Sequence, residues 1–257
     1  MLSAHLECFG SGADVVLLHG TPVAPEHLHP LAHELGAEFR VWVAHLPGYG
    51  QTPALPAGHS AADIQEAVER ALVARGVSSA ALVGLSAGAY HALGMALRGT
   101  VEVRAVVALG GLAGLAAAQQ SGYRELAVAL RGGLDPAQIL PEMLLPAAFA
   151  EAHPEAVEEV RRWGRAKAPP LLADELEALA SSPDLTPWLG ELDIPIVARV
   201  GDQDVAVPPA YSEALARAAR RGALEIVPGA GHALLLQDLP GAVRSVRLAL
   251  AGAGQGA

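Results

Sequence analysis

The stretch Gly84-Leu85-Ser86-Ala87-Gly88 sets one serine between two glycines, where the apolar run ending at Val83 gives way to a helix-like run. A serine hydroxyl is a poor nucleophile until a base takes its proton. A tight strand-to-helix turn forces the serine to positive φ, and small neighbours two residues away on either side relieve the crowding. The hydroxyl then stands clear of the sheet, at a helix N-terminus whose dipole favours developing negative charge. In a chain with 28 glycines the pattern alone is weak. The strand before it and the helix after it give it weight.

The base must be a histidine that reaches Ser86, and ten are available. His232, in PGAGHALL, follows the apolar run ALEIV and precedes the last helical stretch, at the same carboxyl end of the sheet as Ser86. His91 lies one helical turn beyond Ser86 and points the wrong way; His153 falls in a helical insertion. A histidine base needs a carboxylate to fix its tautomer. GDQD follows the run PIVARV and offers Asp202 and Asp204. Asp204, further out on the loop, is the expected partner, and Asp202 reads as a turn residue bonding its own backbone. No acid follows the strand ending at Gly110 and Gly111. The order Ser, Asp, His is a known chain order for such triads.

The elements that must carry these residues alternate. Strand candidates are Val15–Leu18, Val41–Ala44, Ala80–Val83, Arg104–Gly110, Pro195–Val200 and Ala223–Val227, read as apolar runs rather than alternating ones, as expected of parallel strands buried on both faces. Helical stretches run over Ala61–Arg75, Ala87–Arg98, Tyr211–Arg221 and Leu239–Leu250. The alternation predicts an α/β fold, a mostly parallel sheet covered by helices on both faces. Leu2–Phe9 adds an antiparallel edge strand. From 112 to 190 no strand pattern appears, only Ala, Leu and Glu punctuated by prolines. Residues 1–111 and 191–257 are therefore expected to form the core and 112–190 a helical lid. The C-terminal AGAGQGA reads as a frayed tail.

Together these motifs resemble the α/β-hydrolase family over essentially the whole chain. LLHGTP (Leu17–Pro22) is similar to the family's His-Gly motif, LPGYG (Leu46–Gly50) to its next loop and GDQDVAVP to its acid loop. The resemblance implies an oxyanion hole from the N–H groups of Thr21 and Ala87, and a structural role for His19. The chain departs from the pattern at His45, where many members carry aspartate, and at its N-terminus, which looks one strand short. A serine nucleophile argues against the haloalkane dehalogenase and epoxide hydrolase branches. The lid stretch MLLPAAFAEAHPEAVEEV and the following DLTPWLGELDIPIVARVGDQD resemble the small-lid branch that contains 3-oxoadipate enol-lactonases and related esterases.

Composition bounds the rest. A formal charge of −10 disfavours nucleic acid and anionic membranes as partners. The single cysteine, Cys8, permits no internal disulfide and suits a reducing cytoplasm. The N-terminus shows no basic start followed by an apolar stretch, so no signal peptide is expected, and the longest apolar run is too short to span a bilayer. His27, His29 and His33 fit no zinc pattern, with Pro30 interrupting any helix that would align them, and no metal or other cofactor is expected. Gly10–Gly12 reads as a loop, and no dinucleotide fingerprint follows the first strand. The cluster Arg161–Lys167 reads as a solvated helix face paired with Glu158 and Glu159, the alternative being a site for a substrate carboxylate. Leu85, Met143, Leu144, Phe149 and Trp163 are candidates to line a substrate pocket, and Trp188 another.

The expected activity is hydrolysis of a small carboxylic ester or lactone through an acyl-enzyme on Ser86, with water as co-substrate; assembly into a homo-oligomer is left open. Hydrolysis of a carbon–carbon bond in a diketone, or ligand binding without catalysis on the same fold, are the alternatives.

Overall fold

The structure is a computed structural model that describes residues 1–165 and 167–253. Seven strands form one sheet: β1 (His5–Phe9), β2 (Asp14–Leu18), β3 (Arg40–His45), β4 (Ser79–Leu85), β5 (Glu102–Leu109), β6 (Pro195–Gly201) and β7 (Arg221–Val227). Their order is β1-β3-β2-β4-β5-β6-β7, with β1 antiparallel to β3 and every other pair parallel. The helices of the core are α1 (His29–Gly36), α2 (Ala61–Ala74), α3 (Ala87–Arg98), α9 (Pro209–Ala218), the short α10 (Leu234–Gln237) and α11 (Leu239–Ala253).

Strand alternation divides the core in two. Val16, Leu18, Leu82, Val106 and Ile196 face α2 and α3, while Val15, Leu17, Val83, Leu109 and Val197 face α1 and α11. The inner strands are apolar on both faces because both faces are covered. The run Ala223–Val227 differs from that expectation: β7 is the sheet edge, and Leu224 and Ile226 are exposed. The intervening Glu225 takes a hydrogen bond from Arg199 of β6 at 2.6 Å.

Between β5 and β6 the described residues form α4 (Ala117–Arg131), α5 (Pro136–Leu144), α6 (Ala147–Ala152), α7 (Pro154–Gly164), α8 (Pro169–Ala180) and a 3-10 turn, Thr186–Glu191. Three of the prolines that punctuate this insert start helices, whereas Pro141 lies inside α5. Pro136, Pro154 and Pro169 occupy first-turn positions, where the missing N–H has no acceptor to lose. The same rule corrects the reading of Pro30. It sits in the first turn of α1, so 29–36 is helical and His29 and His33 share a face beside Phe9.

Of the tail expected to fray, residues 251–253 close α11, and 254–257 lie outside the described residues. No helix among those described is long and apolar enough to cross a membrane.

Candidate active site

The strand ends deliver the site. Ser86 follows β4 with φ 53°, the only non-glycine residue at positive φ among those described. Such backbone costs energy and persists only where its surroundings enforce it. The enforcing contacts are specific. A Cβ on Gly84 would lie 2.3 Å from the Gly88 carbonyl carbon and the Ala89 nitrogen, and one on Gly88 would lie 2.2 Å from the Leu18 carbonyl oxygen. The glycines thus let α3 fold back on β4 and slide against the end of β2; they relieve the helix and the neighbouring strand rather than the serine itself. Gly20 is crowded the same way, its Cβ direction ending 2.8 Å from Ser86 Cβ.

Beyond β7, the Nδ1 of His232 bonds the Oδ2 of Asp204 at 2.7 Å, and both residues are buried. Asp204 Oδ1 accepts the Val207 N–H at 2.8 Å, so both carboxylate oxygens are committed. With Nδ1 taken, Nε2 is the ring nitrogen left for the cavity that His232 and Ser86 share. Among the described residues the Ser86 hydroxyl is not hydrogen-bonded to His232; such contacts often tighten only in the complex with substrate. Asp202 is exposed and accepts the Gly229 N–H at 2.7 Å, which ties the β6 loop to the β7 loop instead of closing on its own backbone. The insert reaches this corner too: the Leu144 carbonyl accepts the N–H of His232 at 3.0 Å and of Ala233 at 3.2 Å.

On the other side of Ser86 lies the loop after β2. His19 donates from Nδ1 to the Gly20 carbonyl at 3.0 Å, and its Nε2 accepts the Leu46 N–H at 3.1 Å. Burial pushes its pKa down to about 4, so it is a neutral clamp between two loops. Thr21 lines the cavity, and Ala87, as the first residue of α3, has an N–H with no helical acceptor. His45 takes over the loop bracing expected of an aspartate. Its Nδ1 accepts the Gln51 N–H at 3.1 Å and its carbonyl accepts the Thr52 hydroxyl at 2.7 Å. Because Nδ1 is an acceptor, Nε2 carries the proton and donates it to Glu7 at 2.9 Å. His5, Glu7 and His45 lie close enough together to suggest a metal site. The tautomer that the Gln51 amide imposes on His45 leaves it no lone pair for an ion, so the group reads as a hydrogen-bonded brace.

The cavity holds about 80 Å³ of space for water-sized molecules and lies under the insert. Leu126 and Leu130 of α4, Leu140, Met143 and Leu144 of α5 and Leu176 of α8 form much of its wall, and among the described residues no Lys, Arg, Asp or Glu lines it. Tyr123 adds a hydroxyl whose pKa burial pushes up to about 12. Sequence reasoning reached Met143 and Leu144 but passed over α4, although Tyr123, Leu126 and Leu130 recur at helical spacing. Three other pocket candidates lie outside the wall. Leu85 faces the α1–α11 core, as alternation along β4 requires. Phe149 stacks on His153, with ring centroids 4.3 Å apart. Trp163 is buried against His27 at 4.1 Å and donates to Glu159. Trp188 is half-exposed on a separate open groove of about 640 Å³, where neither Ser86 nor His232 appears.

The basic cluster divides. Arg161 and Arg162 are exposed and pair with Glu158 and Glu159, whereas Lys167 is buried and pairs with Glu175 of α8 at 2.8 Å. Ala166 lies outside the described residues.

Comparison with known proteins agrees with this architecture. The profile of the Alpha/beta hydrolase family matches residues 15–246. The pimeloyl-[acyl-carrier protein] methyl ester esterase of Vibrio atlanticus is 28% identical over 246 residues, 89% of this chain and 91% of that protein. The enzyme of the same name from Aeromonas salmonicida is 40% identical over 52 residues, a match that spans only 20% of its length. Among solved structures, a thermophilic esterase from Thermogutta terrifontis superposes with a TM-score of 0.89 at 25% identity, over 97% of this chain and 93% of that one. The enol-lactonase of Burkholderia xenovorans LB400 gives 0.89 at 19% identity, over 96% of both chains, a likeness of fold. On the extent of the family match, the chain belongs to the alpha/beta hydrolase family.

Proposed function

We propose that the chain is a serine hydrolase of carboxylic esters, lactones included, that works through an acyl-enzyme on Ser86. One observation carries the reading: a buried Asp204–His232 pair opens on the same cavity as a serine held at φ 53°. In this reading Ser86 Oγ attacks the carbonyl carbon and His232 Nε2 takes the hydroxyl proton. Asp204 holds the ring in the required tautomer and stabilises the imidazolium. The N–H groups of Thr21 and Ala87 receive the negative charge that develops on the carbonyl oxygen, each donor contributing about 3 kcal/mol in comparable sites. The tetrahedral centre collapses, His232 returns the proton to the leaving alcohol, and the acyl group stays on Ser86. Water attacks next, His232 takes its proton and returns it to Ser86 Oγ as the acyl–oxygen bond breaks, and the carboxylic acid leaves and ionises in water.

The wall of the cavity indicates the acyl group. Leucines, a methionine and one protonated tyrosine offer an uncharged aliphatic or alicyclic chain good burial, and a free carboxylate no counter-ion. Of the basic residues that might have supplied one, Arg161, Arg162 and Lys167 are committed to glutamates. The esterases among the relatives support the ester reading. The same wall weighs against the carbon–carbon alternative only for diketones that carry a free carboxylate.

Ser86→Ala is expected to abolish turnover of p-nitrophenyl esters while circular dichroism and melting temperature persist. Undiminished hydrolysis by that variant would remove the assignment. A panel pairing neutral acyl esters with carboxylate-bearing ones of equal length tests the substrate class.

A further inference from the structure

The reaction above uses the amide of Thr21. Its hydroxyl is bound elsewhere, 154 residues away in sequence: it donates to Glu175 Oε1 on α8 at 2.5 Å. Glu175 Oε2 accepts the Tyr49 hydroxyl at 2.7 Å and the Lys167 ammonium at 2.8 Å. Lys167 also donates to the Pro47 carbonyl at 3.3 Å and stands 4.2 Å from the centre of the Tyr49 ring. One carboxylate of the insert therefore collects donors from the loop after β2, the loop after β3 and the segment before α8. Glu175 and Lys167 are only 4% and 6% exposed. Burial raises the Glu175 carboxyl, but Lys167 and its hydrogen bonds, with those from Thr21 and Tyr49, hold it below the ordinary value and keep it ionised.

A buried ion pair is poor evidence of stability, because apolar residues of similar volume often serve as well or better. Its placement suggests another use. The Gly20–Thr21 peptide is planar, so its carbonyl and its N–H point to opposite edges of one plate. The carbonyl edge is held by His19 Nδ1 at 3.0 Å and by the Val23 N–H at 2.9 Å. The Thr21 hydroxyl is a second point of attachment, carried on the Cα that ends this plate, and it belongs to the insert through Glu175. The two held points, the Gly20 carbonyl oxygen and the Thr21 side chain, lie on either side of the Thr21 nitrogen along the chain, and together they limit rotation of the plate that carries its N–H.

We infer that Glu175 is a positioning residue: by holding the Thr21 hydroxyl it aims the Thr21 amide at the developing oxyanion, so a competent oxyanion hole requires the docked insert. This rests on the serine-hydrolase reading. Losing an oxyanion donor outright costs about 10²–10³ in rate, and a mis-aimed one costs less.

The test uses the full chain and two readouts, steady-state kinetics on p-nitrophenyl butyrate and the rate at which a fluorophosphonate labels Ser86. Thr21→Val keeps the shape and removes the hydroxyl; Thr21→Ser restores it. The expected result for Thr21→Val is a fall of about tenfold or more in kcat and in labelling rate, with KM within about twofold, and near-complete recovery in Thr21→Ser. The paired change Glu175→Leu with Lys167→Met removes the ion pair without stranding a charge, and should lower kcat as Thr21→Val does. Added to Thr21→Val, it should cost little more, because both break one link. Wild-type kcat in a folded Thr21→Val variant overturns the proposal, as does a full additional loss when the pair is combined with it. If the paired variant does not fold, the two Thr21 variants decide alone. A wild-type chain whose Ser86 is neither labelled nor needed for turnover removes the hydrolase reading itself. Labelling as fast in Thr21→Val as in the wild type removes this proposal only.

Discussion

Two regions meet at the cavity and hold their shape by opposite means. At the sheet edge around Ser86 the constraint is steric: Gly20, Gly84 and Gly88 allow backbone to approach where no methyl fits. In the insert three of the helices start at prolines, the helices meet through leucines, and a buried carboxylate docks them on the core by accepting from Thr21 and Tyr49. Steric constraint is unforgiving and local. A polar and apolar lining can change residue by residue, and with it the molecule that fits. On the proposed function, chemistry falls to the rigid region and selectivity to the adaptable one.

On the proposed function, the largest effect expected after Ser86→Ala is on the rigid side. In Asp204→Asn one oxygen cannot serve both the His232 ring and the Val207 N–H. The amide must present its NH2 group to one of them, and presenting it to Nδ1 selects the wrong tautomer. Kinetics on p-nitrophenyl esters should show kcat down about 10³–10⁴-fold, with the melting temperature little changed. A fall of less than tenfold would mean that the pair does not orient the base.

Gly88→Ala tests the steric claim directly. Its Cβ would meet the Leu18 and His19 carbonyl oxygens at 2.2 and 2.7 Å, both backbone atoms on a strand end that cannot yield. A loss of about 2–4 kcal/mol is expected in urea unfolding, or failure to accumulate folded protein. Wild-type stability would show that the corner is looser than it looks.

The division also explains what the sequence disclosed. The strand–Ser86–helix corner was legible because its determinants are adjacent, and Ala87–Arg98 begins and ends as its residues indicate. His232 and Asp204 could be placed because parallel strands bring all their carboxyl ends to one edge. Lys167 was misread as part of a solvated basic face, because nothing near it shows that Glu175 will bury it. Leu85, Phe149 and Trp163 are apolar, and composition cannot say which core an apolar side chain joins. Pro30 misled because a proline looks the same whether it breaks a helix or begins one. Glu7 could not be found from any single motif, since its role depends on His45 from another strand.

A smaller effect probes the seam between the regions. Burial pushes the pKa of His27 down to about 3 and those of His19 and His91 to about 4. An unfolded histidine titrates near 6.5. Above that pH both states are neutral and the full stability is present. Below it the unfolded chain binds protons that the folded chain refuses, so stability falls as pH drops from about 6.5 toward 4 and then 3. Thermal melts should be level from pH 8 to 7 and decline from 6.5 to 4.5, above the range where the depressed carboxyls Asp14 and Asp63 begin to protonate. His27 packs on Trp163 of α7, and its Nε2 has no partner among the described residues. His27→Leu should therefore make the decline shallower, by about 1.4 kcal/mol per pH unit at most. An unchanged acid limb would remove His27 from the account.

The smallest effect is the mirror of Gly88→Ala. Gly122 lies inside α4, exposed, with nothing within 4 Å of where its Cβ would stand. Alanine there restricts the unfolded backbone and meets no neighbour, so Gly122→Ala should stabilise by about 0.5–1 kcal/mol. In a chain of this size that raises the melting temperature by about 2 °C. One added methyl thus carries opposite signs in the two regions. Because Tyr123 and Leu126 line the cavity from the same helix, ester turnover in Gly122→Ala measures something further. If the insert selects substrate by its lining alone, a stiffer α4 leaves kcat and KM for short esters unchanged. If the helix must flex to admit the acyl chain, the more stable variant is also the slower one, with the penalty growing with chain length.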